Sequence, residues 1–508
     1  MKLSRYILHI LLLTVTYQIL VSCNKILDVQ SERFSPEENH WRTIQDSRAG
    51  LLGIYSLVRA AATANNAHWI YGDLREGDFT SYNRKDLEAV IKGNLNSSFD
   101  VLQQLSDWRR FYAAINAANI FMEKAPQVLA SDRLYTEENM KLDLAQARLL
   151  RAFAYYYAIR IWGDVPLVLR SHDNGSFPQL PVTDQQTILD FLIRDLESIL
   201  DQLPYRYGIS PMSYYGYYDN QRWTGVLMNK ISAYALLAHI AALKEDYITV
   251  ERYTQLLFSE YSNLSNGIDY STIGDLTAMG AEGLFAGARV QHLIGFGFKY
   301  NYGEATTDGH IESLTLATPV VSKAFPDIYV NKDSINSIFF EPGDSRYGVD
   351  TLTGELNSAY FVNVNGETPV FDKIKCLVVD DGTYAKYSSA MVFTRLEEQA
   401  LLRAEALAVL KRDVDAVGVL NNIRSRRGLR LFNARGKTND EIIDAIFEER
   451  RRELMGEGWR WYDLIRYNKI KKSDARFMSL IEQGGVYWPI AQTVLNNNRS
   501  LKQNLYWE

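Results

Sequence analysis

Cysteine is nearly absent: 508 residues carry only Cys23 and Cys376. At most one disulfide can form, which excludes a disulfide framework. There is no Cys pair and no His-Glu-x-x-His spacing, so no motif points to a metal. A Gly-x-Ser-x-Gly nucleophile elbow and a phosphate-cradling glycine loop are missing too. No cofactor is expected. Fifty-five basic residues stand against 61 acidic ones, for a net charge of −6. Outside one helical segment no Arg/Lys-rich face stands out, which argues against nucleic acid as a partner. Beyond the first two dozen residues no apolar run is long enough to span a membrane.

The chain is instead rich in rings, with 32 Tyr, 21 Phe and 9 Trp. Such side chains fill a core, but tyrosine in this number also suits an amphipathic binding surface. The N-terminus, MKLSRYILHILLLTVTYQILVSC, carries Lys2 and Arg5 ahead of an apolar stretch from Tyr6 to Val21. Charge, apolar run and small residues read as an export signal over residues 1–22. Its end, Leu20-Val21-Ser22-Cys23, resembles the lipobox of bacterial lipoproteins. That resemblance implies cleavage before Cys23 and a diacylglycerol on its thiol, the one nucleophile of this segment suited to the chemistry. Two or more acyl chains anchor stably where one does not. Asn24 after the cysteine fits outer-membrane sorting.

The mature chain is predicted to be mainly α. Apolar spacing near 3.6 residues predicts helices over Ser35–Ala60, Asp100–Lys124, Leu142–Trp162, Thr187–Leu203, Met228–Lys244, Tyr247–Tyr261 and Arg395–Arg412, with further helices to Tyr467. Gly163-Asp164-Val165-Pro166 stops the third of these sharply. Alanine-rich contact faces suggest a tetratricopeptide-like helix-pair scaffold, without that repeat's strict signature. Residues 262–389, rich in Gly, Thr, Asp and Asn, read as a large irregular insert with short strands. The expected layout is one composite domain over 23–508: a helical scaffold (35–261), the insert (262–389), then C-terminal helices and tail (390–508).

Several stretches together resemble the SusD/RagB family of outer-membrane lipoproteins of Bacteroidetes. They are Cys23-Asn24-Lys25-Ile26-Leu27-Asp28, ARLLRAFAYYYAIRIWGDVPLV (Ala147–Val168), EERRRELMGEGWRWYDLIRY (Glu448–Tyr467) and Tyr487-Trp488-Pro489-Ile490 with Asn498 and Gln503-Asn504. Ala491 and Arg499 depart from the family's usual prolines. The resemblance implies a non-enzymatic, surface-exposed binder, lipid-anchored at Cys23. It would capture oligosaccharides, or peptides, and pass them to a SusC-like TonB-dependent transporter. Within the C-terminal signature, Glu448 with Arg452 and Arg460 with Asp463 have the spacing of helical ion pairs. Arg424, Arg426 and Arg427 read as solvated or inter-helix charges.

Sugars offer apolar C–H faces and many hydroxyls, so aromatic platforms with polar neighbours are the candidates. Trp69, Tyr71, Asp73 and Arg75 share a loop after the first long helix, where Trp69 either faces ligand or plugs the core. Tyr214, Tyr215, Tyr217, Tyr218 and Trp223 crowd the Tyr205–Trp223 loop, facing ligand or transporter. Phe296, Phe298, Tyr300 and Tyr302 alternate, as a half-buried strand or a further platform. A glycoside hydrolase, the competing class, would need paired carboxylates such as Glu76 and Asp78 across a cleft. A purely architectural adhesin is the third class.

Overall fold

The computed structural model describes residues 40–172, 178–207, 226–280, 283–287, 289 and 291–508. The signal segment, Cys23 and the crowded tyrosines lie outside that set. The longer helices are α1 (Ile44–Thr63), α2 (Arg109–Ser131), α3 (Glu137–Trp162), α4 (Gln185–Glu197), α5 (Lys230–Leu243), α6 (Tyr247–Ser265), α7 (Leu396–Val409), α8 (Asp413–Arg426), α9 (Asn439–Glu453), α10 (Arg460–Lys471) and α11 (Ala475–Glu482). Each packs on the next in sequence, from α1 through α8, and α9 closes on α7 and α8. The scaffold is therefore a chain of helix pairs, as the alanine-rich faces predict. Ala235, Ala238 and Ala241 of α5 are wholly buried and allow close backbone approach.

Capping residues set the helix ends where periodicity alone misplaces them. Thr43 accepts from the Asp46 amide while Asp46 bonds back, so α1 begins at Ile44 and not near Ser35. Thr136 caps α3, which starts a turn before the predicted Leu142. The predicted Asp100–Lys124 helix is two helices, Asp100–Leu105 and α2, broken at residues 106–108. Gly163, at φ 77°, ends α3, and its amide bonds Ile159 O; the Tyr487 ring lies 3.1 Å from where a Cβ would stand.

Within 262–389 the strands are short antiparallel pairs. Leu377–Asp380 pairs with Ala385–Tyr387, and Tyr347–Val349 with Leu356–Ser358. Two pairs tie this region to the rest: Thr80–Ser81 with Ile328–Tyr329, and His292–Phe296 with Met391–Arg395. The second runs through the middle of the molecule, where Phe393 meets the rings of Phe153, Tyr156, Tyr157, His239 and Trp459.

Beside that aromatic centre lies a buried lattice of charges. Glu453, with no exposure, receives Arg427 at 2.7 Å, Arg395 at 3.0 Å and Arg346 at 3.1 Å. Arg346 also meets Asp344 and Glu449, each at 2.8 Å, and Arg395 meets Glu397 at 2.7 Å and Glu457 at 2.8 Å. Burial pushes the Glu453 carboxyl up, but Arg427, Arg395 and Arg346 together outweigh it and hold it well below the usual range. The Glu-Arg-Arg-Arg-Glu run of α9 is thus an internal network bonding the insert, α7, α8 and α9. The local pairings differ from expectation. Arg452 prefers Glu449 (2.9 Å) to Glu448 (3.9 Å). Arg460 faces Asp78 at 3.5 Å, while Asp463 serves Arg450 at 3.0 Å and Arg466 at 2.7 Å. Arg424 and Arg427 are buried between elements, and Arg426 is exposed.

Candidate functional site

The segment after α1 is not an open loop. Asn65 and Asn66 take left-handed φ of 57° and 55°, a turn that asparagine tolerates. The chain then dives inward through a helical turn, Ala67–Trp69, and a π-turn, Ile70–Leu74. Gly72 packs so closely that a Cβ there would stand 1.9 Å from Gly458 O. The expected ligand platform is corrected accordingly: Trp69, Tyr71, Asp73 and Arg75 are all at most 3% exposed. Tyr71 donates to Leu105 O at 2.5 Å and packs on Trp162 and Trp488. Asp73 accepts from the Gly458 amide at 2.6 Å. Arg75 stacks 4.4 Å from Trp461 and donates to Gly485 O at 2.6 Å. Tyr71, Asp73 and Arg75 thereby lock the N-terminal scaffold to the C-terminal region, and Trp69 is buried beside them.

The same reversal leaves other residues outside. A shallow groove of 500 Å³ is lined by Asn65, Asn83, Arg84, Asp86, Phe99 and Gln104, among others. Asn65 Nδ2 donates to Gln104 Oε1 at 2.7 Å, leaving further amide donors and acceptors of the pair. Arg84 is fixed by Asp327 and Asp86, both at 2.7 Å. The short ladder of Thr80–Ser81 with Ile328–Tyr329 continues as Tyr82 N–H to Asp327 O at 2.8 Å. It brings the Tyr82 ring over Phe325 at 4.7 Å between centroids, tilted 30°. Phe325 is 44% exposed and Phe99 38%. Exposed rings beside amides, an arginine and a carboxylate can stack on apolar C–H faces and bond hydroxyls in both directions. Asn65-Asn66 was the one local signal for this turn; Phe99, Tyr82, Gln104 and Phe325 carry none, because their exposure follows from packing.

A larger cleft, of 620 Å³, lies among Tyr205, Val226, Asn229, Ser232, Asn266 and Asp269. Tyr205, Arg206, Val226 and Leu227 line it; Tyr214, Tyr215, Tyr217, Tyr218 and Trp223 fall outside the described residues. Its own rings are already engaged: Tyr205 packs on Tyr234, and Tyr261 is buried. The 296–302 stretch is neither one strand nor one platform. Phe296 is buried in the central ladder, Phe298 packs on His310 and under Arg59, and Tyr300 and Tyr302 are 52% and 76% exposed.

The loop acids do not form a catalytic pair. Glu76 is bonded by Arg476 at 2.7 Å, and that bond holds its carboxyl below the usual range. Asp78 is bonded by Arg451 Nε at 2.9 Å. Among the described residues no cluster of three His, Cys, Asp or Glu is placed to hold a metal ion.

A chain of helix pairs with short antiparallel strand pairs and irregular, ring-bearing surface segments defines a mainly helical fold class. The comparisons agree in kind. The profile of the SusD family matches residues 374–507. A crystal structure of a SusD superfamily protein from Bacteroides thetaiotaomicron is 48% identical, with a TM-score of 0.84, covering 92% of this chain and all of that one. "SusD-like protein P38" of Formosa agariphila is 27% identical over 97% of both chains. A SusD homolog from B. thetaiotaomicron, 24% identical, shares the fold at a TM-score of 0.73 over 92% of this chain and 99% of its own. The chain belongs to the SusD family.

Proposed function

We propose that this protein is a cell-surface nutrient-binding lipoprotein, anchored in the outer membrane through acylated Cys23. It captures oligosaccharides and hands them to a SusC-like TonB-dependent transporter, without catalysing a reaction on them. Family membership supports the coarse reading, and the Tyr82–Phe325 pair beside the Asn65/Gln104 groove is the observation that carries the ligand class. Two tilted, partly exposed rings suit a sugar better than a peptide chain, which would seek an open sheet edge or an apolar groove. The tyrosines 214, 215, 217 and 218 with Trp223 complete the proposal as ligand or transporter contacts. The hydrolase reading loses ground because a general acid needs a raised carboxyl pKa, whereas Glu76 is pushed down.

The test uses the soluble form lacking residues 1–23, titrated calorimetrically against a glycan panel with product analysis. Binding without turnover is expected, and Tyr82→Ala with Phe325→Ala should weaken it roughly tenfold or more. Unchanged affinity in that double variant would remove the groove assignment. Turnover abolished by Glu76→Gln or Asp78→Asn would overturn the whole reading. Cys23→Ser should abolish palmitate incorporation in the full chain.

A further inference from the structure

The tyrosine-rich motif of α3 holds an arginine whose charge the fold does not pair. Arg160 is 3% exposed, and its three guanidinium nitrogens make no hydrogen bond of full geometry among the described residues, although the Tyr156 and Tyr157 hydroxyls stand close enough to interact with it. No carboxylate among those residues lies within ion-pair distance of it, although Arg346, Arg395, Arg427, Arg450 and Arg466, all buried, each have at least one. Its surroundings are rings instead. The guanidinium stands 3.8 Å from the centroid of Tyr157, 4.3 Å from Tyr462, 5.3 Å from Tyr156 and from Phe393, and 5.7 Å from Trp459. Ring faces stabilise a cation, yet the neighbouring tyrosine hydroxyls are too few and too poorly aligned to satisfy five N–H donors. Arginine cannot shed its proton to escape the cost, as a buried lysine can.

Arg160 lines a cavity of 70 Å³ together with Tyr156, Tyr462, Arg466, Lys469 and half-buried Leu243. That volume exceeds what one water needs, about 10–15 Å³ on the same measure. The other charged groups of the wall are committed elsewhere. Arg466 is paired with Glu405 at 2.8 Å and Asp463 at 2.7 Å, Lys469 with Glu245 at 2.8 Å, and His239 faces Glu398 at 3.0 Å. The wall is left with one positive charge that no carboxylate among the described residues balances.

We propose that this cavity is a binding site for a small monovalent anion of halide or formate size, held by the Arg160 guanidinium. It is separate from the glycan groove and independent of the proposed function. The anion would neutralise Arg160 at the junction of α3, α5 and α10, and so fasten the N-terminal scaffold to the C-terminal signature. Larger anions are excluded by the cavity's size.

The experiment measures melting of the soluble chain at constant ionic strength as sodium bromide replaces sodium gluconate, whose anion is too large to enter. A saturable rise of about 3 °C is expected at a hundredfold excess over Kd for a chain of this size. Crystals grown in bromide should show anomalous density against the guanidinium. Arg160→Met should abolish both responses. Leu243→Trp, which keeps the arginine but occludes the wall, should abolish them as well, so the idea stays testable if the first variant fails to fold. A rise equal in both variants, a rise without saturation, or density for water alone would overturn the proposal.

Discussion

Glu453→Gln removes the carboxylate on which three buried arginines converge. Breaking one buried pair by deleting a partner costs about 3–5 kcal/mol, because the charge left behind stays desolvated. Here Arg427, Arg395 and Arg346 all lose Glu453 at 2.7–3.1 Å, but each keeps another acid in reach: Glu397 at 3.6 Å for Arg427, Glu457 at 2.8 Å for Arg395, and Asp344 at 2.8 Å for Arg346. That retention places the loss near the middle of the range, about 4 kcal/mol. Unfolding entropies per residue imply roughly 1 kcal/mol per kelvin for a chain of this length, so the midpoint should fall by about 4 °C at pH 7. Calorimetry on the soluble form reads it. The pH dependence adds a second check. Glu453 has a folded pKa held below its unfolded one, so its contribution is complete above about pH 4.3 and is lost as pH falls through the lowered value. The deficit of the variant should therefore shrink on acidification below pH 4. A fall under 1 °C at pH 7, or a deficit constant from pH 7 to pH 3, would refute the reasoning that this lattice holds the insert to the helices.

Gly72→Ala should block correct closure of the π-turn on the C-terminal signature, since its Cβ would stand 1.9 Å from the Gly458 carbonyl oxygen; a soluble yield and melting point equal to wild type would contradict this. Trp69→Ala should cost about 3–5 kcal/mol of stability and leave the glycan affinity of the folded protein unchanged; loss of affinity without loss of stability would restore Trp69 to the ligand face. Burial pushes the Asp73 carboxyl up to about 7 against the opposing Gly458 and Arg460 amides, so the folded state holds its proton over a range where the unfolded state has lost it. Stability from this group falls as pH rises from about 4 to 7, and Asp73→Asn, which does not titrate, should gain on wild type between pH 5 and pH 8. Parallel melting curves for the two across that range would exclude a buried, titrating Asp73.

Much of the helical scaffold was legible because it is locally encoded. The end of α3 at Gly163 follows from one glycine and a nearby proline, and the close-packed face of α5 from its alanines. Helix starts were less legible, since a single capping side chain such as Thr43 or Thr136 outweighs several residues of apolar spacing. The candidate site was harder. Of the residues singled out after α1, Trp69, Tyr71, Asp73 and Arg75 face inward, while Asn65, Phe99 and Gln104 line the groove. Aromatic content says how much ring surface exists, and gives no direction to any one ring.

By itself the sequence determined the helix-pair architecture, the irregular stretch between its two parts and the family. These rest on spacing and residue type within a few turns of chain. Only the tertiary structure decided which charges pair and which rings meet solvent. Arg460 and Asp463 stand three residues apart yet take different partners, because Asp78 and Arg450 arrive from elsewhere in the fold. Tyr82 and Phe325 form a pair only because a two-residue ladder joins Thr80–Ser81 to Ile328–Tyr329. Ion pairing and exposure depend on neighbours in space, and long-range packing supplies those neighbours.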